Sequence, residues 1–329
     1  MDQRWLQRHQ IGVYALAVGA AAGIGLTRPD TASALERLIN PVLAVLLYVT
    51  FLEIPLVELR NSLTNRRFMA GALAVNFLVV PVVVFGLARV LPDDPVILVG
   101  VYMVLLTPCI DYVIAFTDMA GGDAGQLTAT TPVLMFVQLL LLPAYLWAFM
   151  GREIAAAIEP GPFLEAFLFL IAGPLTLAWL TQLWGRRADA GHRWEELMGW
   201  LPVPMMGATL LVVIASQLPR VRDSLEQIAV VVPVYVAFLC LMPVLGRLAA
   251  TALRLPDGES RALVFTSVTR NSLVVLPLAL ALPAEYAIVP SVVVTQTLVE
   301  LTGLLVLTRL VTSRVWERSE TMLRNVGSQ

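Results

Sequence analysis

Long apolar blocks run along the whole chain, separated by short stretches rich in proline, glycine or charge. Each block approaches the roughly 20 residues that an α-helix needs to cross a bilayer. Such a pattern predicts transmembrane helices, because a chain in lipid must satisfy its backbone polar groups within each segment. The ten predicted spans are residues 11–27, 38–57, 68–90, 96–120, 126–150, 162–184, 197–217, 227–253, 260–282 and 286–310.

The connectors between these blocks are short, and the longest is predicted near residues 186–196. We therefore expect an all-α membrane protein without an extramembrane domain. Composition agrees with this expectation, since 58% of the 329 residues are hydrophobic and only 14% are charged. A soluble domain carries about 25% charged residues.

Charge and residue usage exclude several function classes. A net charge of −2 argues against a nucleic-acid partner, so the expected partners are the lipid bilayer and a small inorganic or organic solute, with the chain a monomer or homodimer. All 22 basic residues are arginines, which excludes lysine Schiff-base chemistry. The only histidines, His9 and His192, lie in polar flanks and exclude a histidine relay inside the membrane. We expect no enzyme and no cofactor, only a proton or sodium as coupling ion.

Arginines are unevenly distributed between alternate sides of the predicted membrane. The side that holds both termini carries 15 arginines and the opposite side carries six. Because cytoplasmic loops are enriched in arginine and lysine, both termini are predicted to be cytoplasmic. That placement requires an even number of spans, and ten satisfies it.

An offset of 162 residues relates distinctive positions in the two halves of the chain. The related pairs are Pro81 and Pro243, Cys109 and Asn271, and Gln138 and Glu300. Ten spans divide into five and five, and an odd number per half places the halves in opposite orientations. We therefore expect two inverted five-helix repeats, residues 1–160 and 161–329, with a substrate site at their interface.

Two predicted spans carry residues that interrupt a helix near its centre. The fourth contains Thr107-Pro108-Cys109-Ile110-Asp111, where the proline lacks an N–H and opens the helix. The ninth contains Thr269-Arg270-Asn271-Ser272, where an arginine at bilayer depth must face a partner or water. Non-helical backbone at that depth is tolerated where it lines a cavity or is buried in protein. The two interruptions therefore predict the site.

Glu300 lies in the tenth span, and Gln296 lies one turn before it on the same helix face. A buried carboxylate near Arg270 would be a natural carrier for a proton or sodium. A purely structural ion pair of Arg270 with Asp111 or Glu300 is the alternative. Two further polar residues, Asn76 and Gln138, are expected to form hydrogen bonds between helices.

Cys109 differs from the second cysteine, Cys240, by its position directly after a helix-breaking proline and near an arginine. These features favour a reactive thiolate. A single soft sulfur ligand suits a thiophilic metalloid that must be released again. Cys240, in an unbroken apolar block, is expected to behave as a small hydrophobic residue.

Together these segments resemble a known family. Ten spans in inverted repeats, with the fourth and ninth helices broken, resemble the bile acid/sodium symporter superfamily. Within it, Thr107-Pro108-Cys109-Ile110-Asp111-Tyr112-Val113 is similar to the proline-cysteine motif of the arsenite efflux permeases. The stretches Thr269-Arg270-Asn271-Ser272-Leu273-Val274-Val275-Leu276-Pro277 and Thr295-Gln296-Thr297-Leu298-Val299-Glu300 resemble those of bacterial arsenical-resistance members.

The resemblance implies that Cys109 engages trivalent arsenic and that Glu300 is linked to proton coupling. It also implies a panel of helices 1, 2, 6 and 7 and a core of helices 3–5 and 8–10, with helices 4 and 9 crossing in the core. The expected location is the plasma membrane of a prokaryote, in multi-pass form. Asp111 and Arg270 depart from the better-characterised arsenite permeases and leave the substrate open.

Two hypotheses follow for the function. The leading one is arsenite or antimonite efflux coupled to proton entry, with substrate at Thr107, Cys109, Asp111, Arg270 and Asn271. The alternative is sodium-coupled symport of a small organic anion. There, sodium would bind oxygens of Asn271, Ser272, Gln296 and Glu300, with Asp111 as a further candidate ligand. Arg270 would face the carboxylate of the substrate. Soft sulfur favours arsenic, whereas hard oxygen favours sodium.

Overall fold

The computed structural model describes residues 5–6, 9–53, 65–109, 112–157, 165 and 168–312. Within these ranges the chain is helical and forms no strand. The α-helices are α1 (Gln10–Thr27), α2 (Pro29–Glu36), α3 (Ile39–Glu53), α4 (Arg66–Ala74), α5 (Val80–Ala88), α6 (Pro95–Leu105), α7 (Tyr112–Met119), α8 (Ala124–Ala157), α9 (Gly173–Gly185), α10 (Asp189–Met198), α11 (Pro202–Asp223), α12 (Leu225–Ala229), α13 (Val232–Ala252), α14 (Asp257–Val268), α15 (Ser272–Leu280) and α16 (Val289–Val311). Single π-helical turns occur at Val75–Val79 and Leu168–Ala172, and a 3₁₀ turn at Ala284–Tyr286.

Five described helical segments are long and apolar enough to cross a membrane: Ala34–Glu53, Arg66–Ala88, Pro202–Arg222, Leu225–Ala252 and Ala284–Val311. A sixth is added if the bent helix α8 is one span. The number is smaller than ten partly because two of the predicted spans are divided. For example, α6 has 11 residues, which extend about 16 Å, against a hydrocarbon core about 30 Å thick.

Two prolines shape the helices around the site. Pro81 lacks an N–H and so cannot bond the carbonyl of Phe77, four residues earlier. The Tyr145 hydroxyl on α8 donates to that Phe77 carbonyl at 2.6 Å, and a π-helical turn forms at Val75–Val79. Helix α8 bends by 48° between Gln138 and Leu140, four residues before Pro143, whose ring clashes with the preceding turn.

The described residues divide into two compact units. Unit 1 contains the described residues of Met1–Glu58, Ala156–Ile228 and Leu273–Val294. In it, α11 packs against α1, α2 and α3, and α9 packs against α3. The close approach depends on Gly25 of α1, where a Cβ would lie 3.0 Å from the Ala215 carbonyl oxygen.

Unit 2 contains the described residues of Leu59–Ala155, Ala229–Ser272 and Thr295–Gln329. Its centre is α14, which packs against α4, α7 and α13. Gly246 of α13 allows the tightest of these contacts, because a Cβ there would lie 2.5 Å from Ser267 Oγ. Every residue of the candidate site described below lies in this unit.

Large apolar side chains are exposed on many helices, among them Leu16, Leu78, Val82, Leu140 and Phe169. Exposed apolar surface on this scale fits a chain surrounded by lipid. Cys240 is also exposed, on α13, as a free thiol. The longest predicted connector, residues 186–196, is not an irregular loop, since most of it folds as α10.

Candidate functional site

The two predicted interruptions are present, and their backbones pair with each other. The chain leaves the helix between α6 and α7 and again between α14 and α15. The Cys109 N–H donates to the Thr269 carbonyl at 3.0 Å, and the Asn271 N–H donates to the Thr107 carbonyl at 2.8 Å. Pro108 and Arg270 form an antiparallel bridge between these bonds. Each open segment thus satisfies polar backbone groups of the other, which an apolar interior requires.

The two threonines at the breaks behave alike. Thr107 Oγ1 donates to the carbonyls of Met103 and Val104 at 3.0 and 3.1 Å. Thr269 Oγ1 donates to the Phe265 carbonyl at 2.8 Å. Both hydroxyls therefore bond back onto the last turn of their own helix. The carbonyls of the same two threonines accept the hydrogen bonds from the opposite segment.

Arg270 is completely buried, with 0% of its surface exposed. Its Nη2 donates to Asn76 Oδ1 at 2.8 Å and to the Thr266 and Ser267 carbonyls at 2.7 and 2.9 Å. Its Nη1 donates to the Leu105 carbonyl at 3.3 Å. The alternative of an ion pair with Glu300 is not found in these hydrogen bonds, which all go to neutral oxygens, and Asp111 lies outside the described residues.

The Phe238 ring contributes a further contact to the guanidinium, whose Cζ lies 5.4 Å from the ring centroid. At that distance the ring face attracts a cation. Among described residues, the groups in hydrogen-bonding or ring contact with the Arg270 guanidinium therefore favour a positive charge without carrying a full negative charge.

Glu300 on α16 is also completely buried and is held by three donors. The Tyr112 hydroxyl lies 2.7 Å from its Oε1, and the Arg270 backbone N–H donates to its Oε2 at 2.9 Å. The Gln296 amide also donates to Oε2. The Tyr112 hydroxyl can serve either protonation state of Glu300, because it can donate to a carboxylate, or accept from a carboxyl group while it donates to the Arg270 carbonyl at 3.1 Å. Glu300 thus contacts Arg270 through the backbone and not through the guanidinium.

The Cys109 thiol is not in a disulfide and is buried beside this pairing, with 1% of the residue's surface exposed. Ser272 is buried as well, and its hydroxyl has no hydrogen-bond partner among the described residues. Asp111 lies outside the described residues. The structure therefore brings together Thr107, Cys109, Arg270, Asn271, Gln296 and Glu300.

Two further residues belong to the site: Tyr112, which was not predicted as a site residue, and Asn76, for which only a hydrogen bond between helices was predicted. Tyr112, at the start of α7, joins Glu300 to the break, since its hydroxyl also lies 3.1 Å from the Arg270 carbonyl. A tyrosine inside an apolar block is the available signal, because a buried hydroxyl requires a partner. The expectation for Asn76 is confirmed, since its Nδ2 lies 3.3 Å from Thr266 Oγ1.

The hydrogen bond between helices that was predicted for Gln138 is not present among the described residues. Gln138 is buried on α8, yet neither atom of its side-chain amide has a hydrogen-bond partner among the described residues. The offset of 162 residues relates Gln138 to Glu300 and Pro108 to Arg270. Arg270 gives its backbone N–H to Glu300, whereas Pro108 has no N–H to give. The second half of the chain thus has a backbone donor that the first half lacks at the related position.

Comparison with known proteins gives two findings. A family model described as the Sodium Bile acid symporter family matches residues 40–224. The arsenical-resistance protein Acr3 of Corynebacterium glutamicum is 27% identical over 109 residues, or 33% of this chain and 30% of that protein. The matched stretch thus spans less than a third of that relative.

Proposed function

This chain belongs to the sodium bile acid symporter family and is a multi-pass membrane transporter, and we propose that it exports arsenite, or antimonite, in exchange for protons. The observation that carries the proposal is the buried thiol of Cys109, which is not in a disulfide, at the pairing of the two interruptions. The similarity to a protein named for arsenical resistance supports the same substrate class.

Cys109 would bind the metalloid by ligand exchange. Its thiol replaces one hydroxyl of arsenous acid, As(OH)₃, forming an S–As bond and releasing one water; hydrolysis reverses the step. A single thiolate permits release, whereas several thiolates would retain a thiophilic ion. Thr107 and Asn271 offer neighbouring polar groups for the remaining arsenic hydroxyls.

Glu300 is the proposed proton carrier. Its three donors stabilise the carboxylate, while complete burial disfavours charge. Opposed influences of this kind allow one group to gain and lose a proton as its surroundings change. Gln296 and Ser272 assist by holding polar atoms near the carboxylate or the break.

Cells that lack their own arsenite exporter provide the test. We expect wild-type protein to lower arsenic accumulation after arsenite challenge, and Cys109→Ser to lose that effect. Cys240→Ser is the matched control, because this exposed thiol lies away from the break on α13. Equal exclusion by wild type and Cys109→Ser would refute the thiol mechanism.

The architecture proposed for this function has ten spans in two inverted repeats, with both termini cytoplasmic in a prokaryotic plasma membrane. The paired backbone bonds support the repeats, since the offset of 162 residues converts Cys109 to Asn271 and Thr107 to Thr269. It therefore exchanges the two bonds with each other. Unit 2 contains the predicted spans 3, 4 and 5, most of span 8, and parts of spans 9 and 10. This division supports a core of helices 3–5 and 8–10.

The alternative is sodium-coupled symport of a small organic anion, which the name of the matched family favours. It is less well supported by Arg270, because both terminal nitrogens of its guanidinium already donate to protein oxygens and only Nε lacks a described partner. A saturable sodium-dependent rise in Tm of the wild type that Glu300→Gln abolishes would favour this alternative.

A further inference from the structure

The carbonyl ends of two half-helices converge on one guanidinium group. Leu105 is the last residue of α6, and Thr266 and Ser267 belong to the last turn of α14. The final carbonyls of a helix have no partner within that helix and carry its partial negative charge. All three carbonyls accept hydrogen bonds from Arg270, at 3.3, 2.7 and 2.9 Å.

The Asn76 amide supplies the fourth oxygen, and its orientation is held by its other end. Asn76 Nδ2 donates to the Ala72 carbonyl at 3.0 Å, and Asn76 Oδ1 thereby faces Arg270 at 2.8 Å. These four neutral oxygens form a cage around the guanidinium: the backbone carbonyls of Leu105, Thr266 and Ser267 and the side-chain amide oxygen of Asn76. Hard oxygen donors of this kind are also what alkali cations select.

We propose that Arg270 is a tethered cation that fills a latent monovalent-cation site at the ends of α6 and α14, so that this chain requires no sodium there. The inference rests on the proposed function and deepens it, because it assigns coupling to protons at Glu300 and not to sodium at this cage. The guanidinium supplies the charge permanently, whereas a bound ion would exchange with the solution.

The backbone of Arg270 links this cage to the carboxylate. The residue binds four oxygens through its guanidinium and donates its N–H to Glu300. Removal of the side chain leaves that N–H in place. Replacement of Arg270 therefore tests the cage without directly removing a donor to Glu300.

Thermal unfolding of the purified full-length protein tests the inference, in sodium chloride and in choline chloride of equal ionic strength. We expect wild type to have the same Tm in both salts. Arg270→Ala should be less stable in choline and should recover several degrees as sodium is added, with saturation. Millimolar guanidinium should give a similar recovery, because it restores the missing group. Arg270→Lys should retain a cation and show no sodium response.

Arg247→Ala is the matched control, since Arg247 is a second buried arginine in unit 2 and donates to Ser260 Oγ at 2.6 Å. Its loss should lower Tm equally in both salts. A sodium response that is equal in Arg247→Ala and Arg270→Ala would overturn the inference, as would an Arg270→Ala protein indifferent to sodium and guanidinium. Failure of Arg270→Ala to fold in sodium, with Arg270→Lys folded, would also overturn it.

Removal of one cage oxygen provides a second measurement. In the Arg270→Ala background, Asn76→Leu should raise the sodium concentration needed for half-recovery at least tenfold; an unchanged value would contradict the proposed ligand.

The tethered-cation inference and the proposed transport function can fail separately. A sodium-responsive Arg270→Ala variant of a chain that excludes no arsenite refutes the proposed function alone. An unresponsive variant of a chain that exports arsenite refutes only the tethered cation.

Discussion

Two buried amides in unit 2 offer a sharp comparison, because one is fully bonded and the other is not. Asn76 accepts from Arg270 at 2.8 Å and donates to the Ala72 carbonyl at 3.0 Å and Thr266 Oγ1 at 3.3 Å. Gln138 has no hydrogen-bond partner among described residues. Replacing each residue with leucine removes the amide and leaves an apolar side chain.

The expected effects have opposite signs. Asn76→Leu loses one hydrogen bond to a charged group, worth about 1.5–3 kcal/mol, and two neutral bonds of about 1 kcal/mol each. Additional apolar burial returns about 1–2 kcal/mol. The net loss is therefore about 1.5–4 kcal/mol, which lowers Tm by roughly 2–6 °C. Gln138→Leu removes an unsatisfied amide whose burial costs about 1–3 kcal/mol, so its stability should be unchanged or higher.

Purified variants can be heated in detergent and the folded fraction followed by size-exclusion chromatography. Asn76→Leu should have the lowest Tm of the three proteins, and Gln138→Leu should have a Tm equal to or above that of wild type. Equal losses for the two variants would refute the hydrogen-bond reasoning, because helix packing alone would then account for both residues.

Two further predictions concern packing and coupling. Gly246→Ala should lower the free energy of unfolding by about 1–3 kcal/mol, because its Cβ would lie 2.5 Å from Ser267 Oγ. Gly86→Ala is the control and should be as stable as wild type or more stable, because no atom lies within 4 Å of the added Cβ. Equal effects of the two variants on Tm would contradict the assigned contact. In reconstituted vesicles, Glu300→Gln should remove the dependence of arsenite flux on a pH gradient and Tyr112→Phe should weaken it, since these groups share a 2.7 Å hydrogen bond. Flux in Glu300→Gln that still follows the pH gradient would exclude Glu300 as the proton carrier.

Several features of the site were predictable because their causes are local. Pro108 lacks an N–H wherever the chain places it, so a missing helix hydrogen bond follows from the residue alone, although Pro243 lies within a continuous helix and shows that a proline does not always open one. A charged guanidinium inside an apolar block must be compensated whatever surrounds it. The helical character of the chain likewise follows from long apolar blocks, since isolated helices satisfy their own backbone groups.

The partners of these residues were decided by tertiary structure. A carboxylate partner for Arg270 was one of two sequence-based hypotheses, whereas its described side-chain hydrogen bonds go to neutral oxygens. Two of the residues that supply them lie 165 and 194 positions away in the chain. Charged residues that could pair with an arginine can be recognised in the sequence, whereas the ends of two helices present their carbonyls to one group only after the helices have packed together.

Sequence by itself thus determined the apolar blocks, the helices and the positions of both interruptions, because each depends on the chemistry of adjacent residues. Tertiary structure alone decided that Cys109 bonds to Thr269 and Asn271 to Thr107, that four neutral oxygens surround Arg270, and that Gln138 has no described partner. These outcomes depend on distant segments meeting at hydrogen-bonding distance, and local periodicity contains no information about that distance.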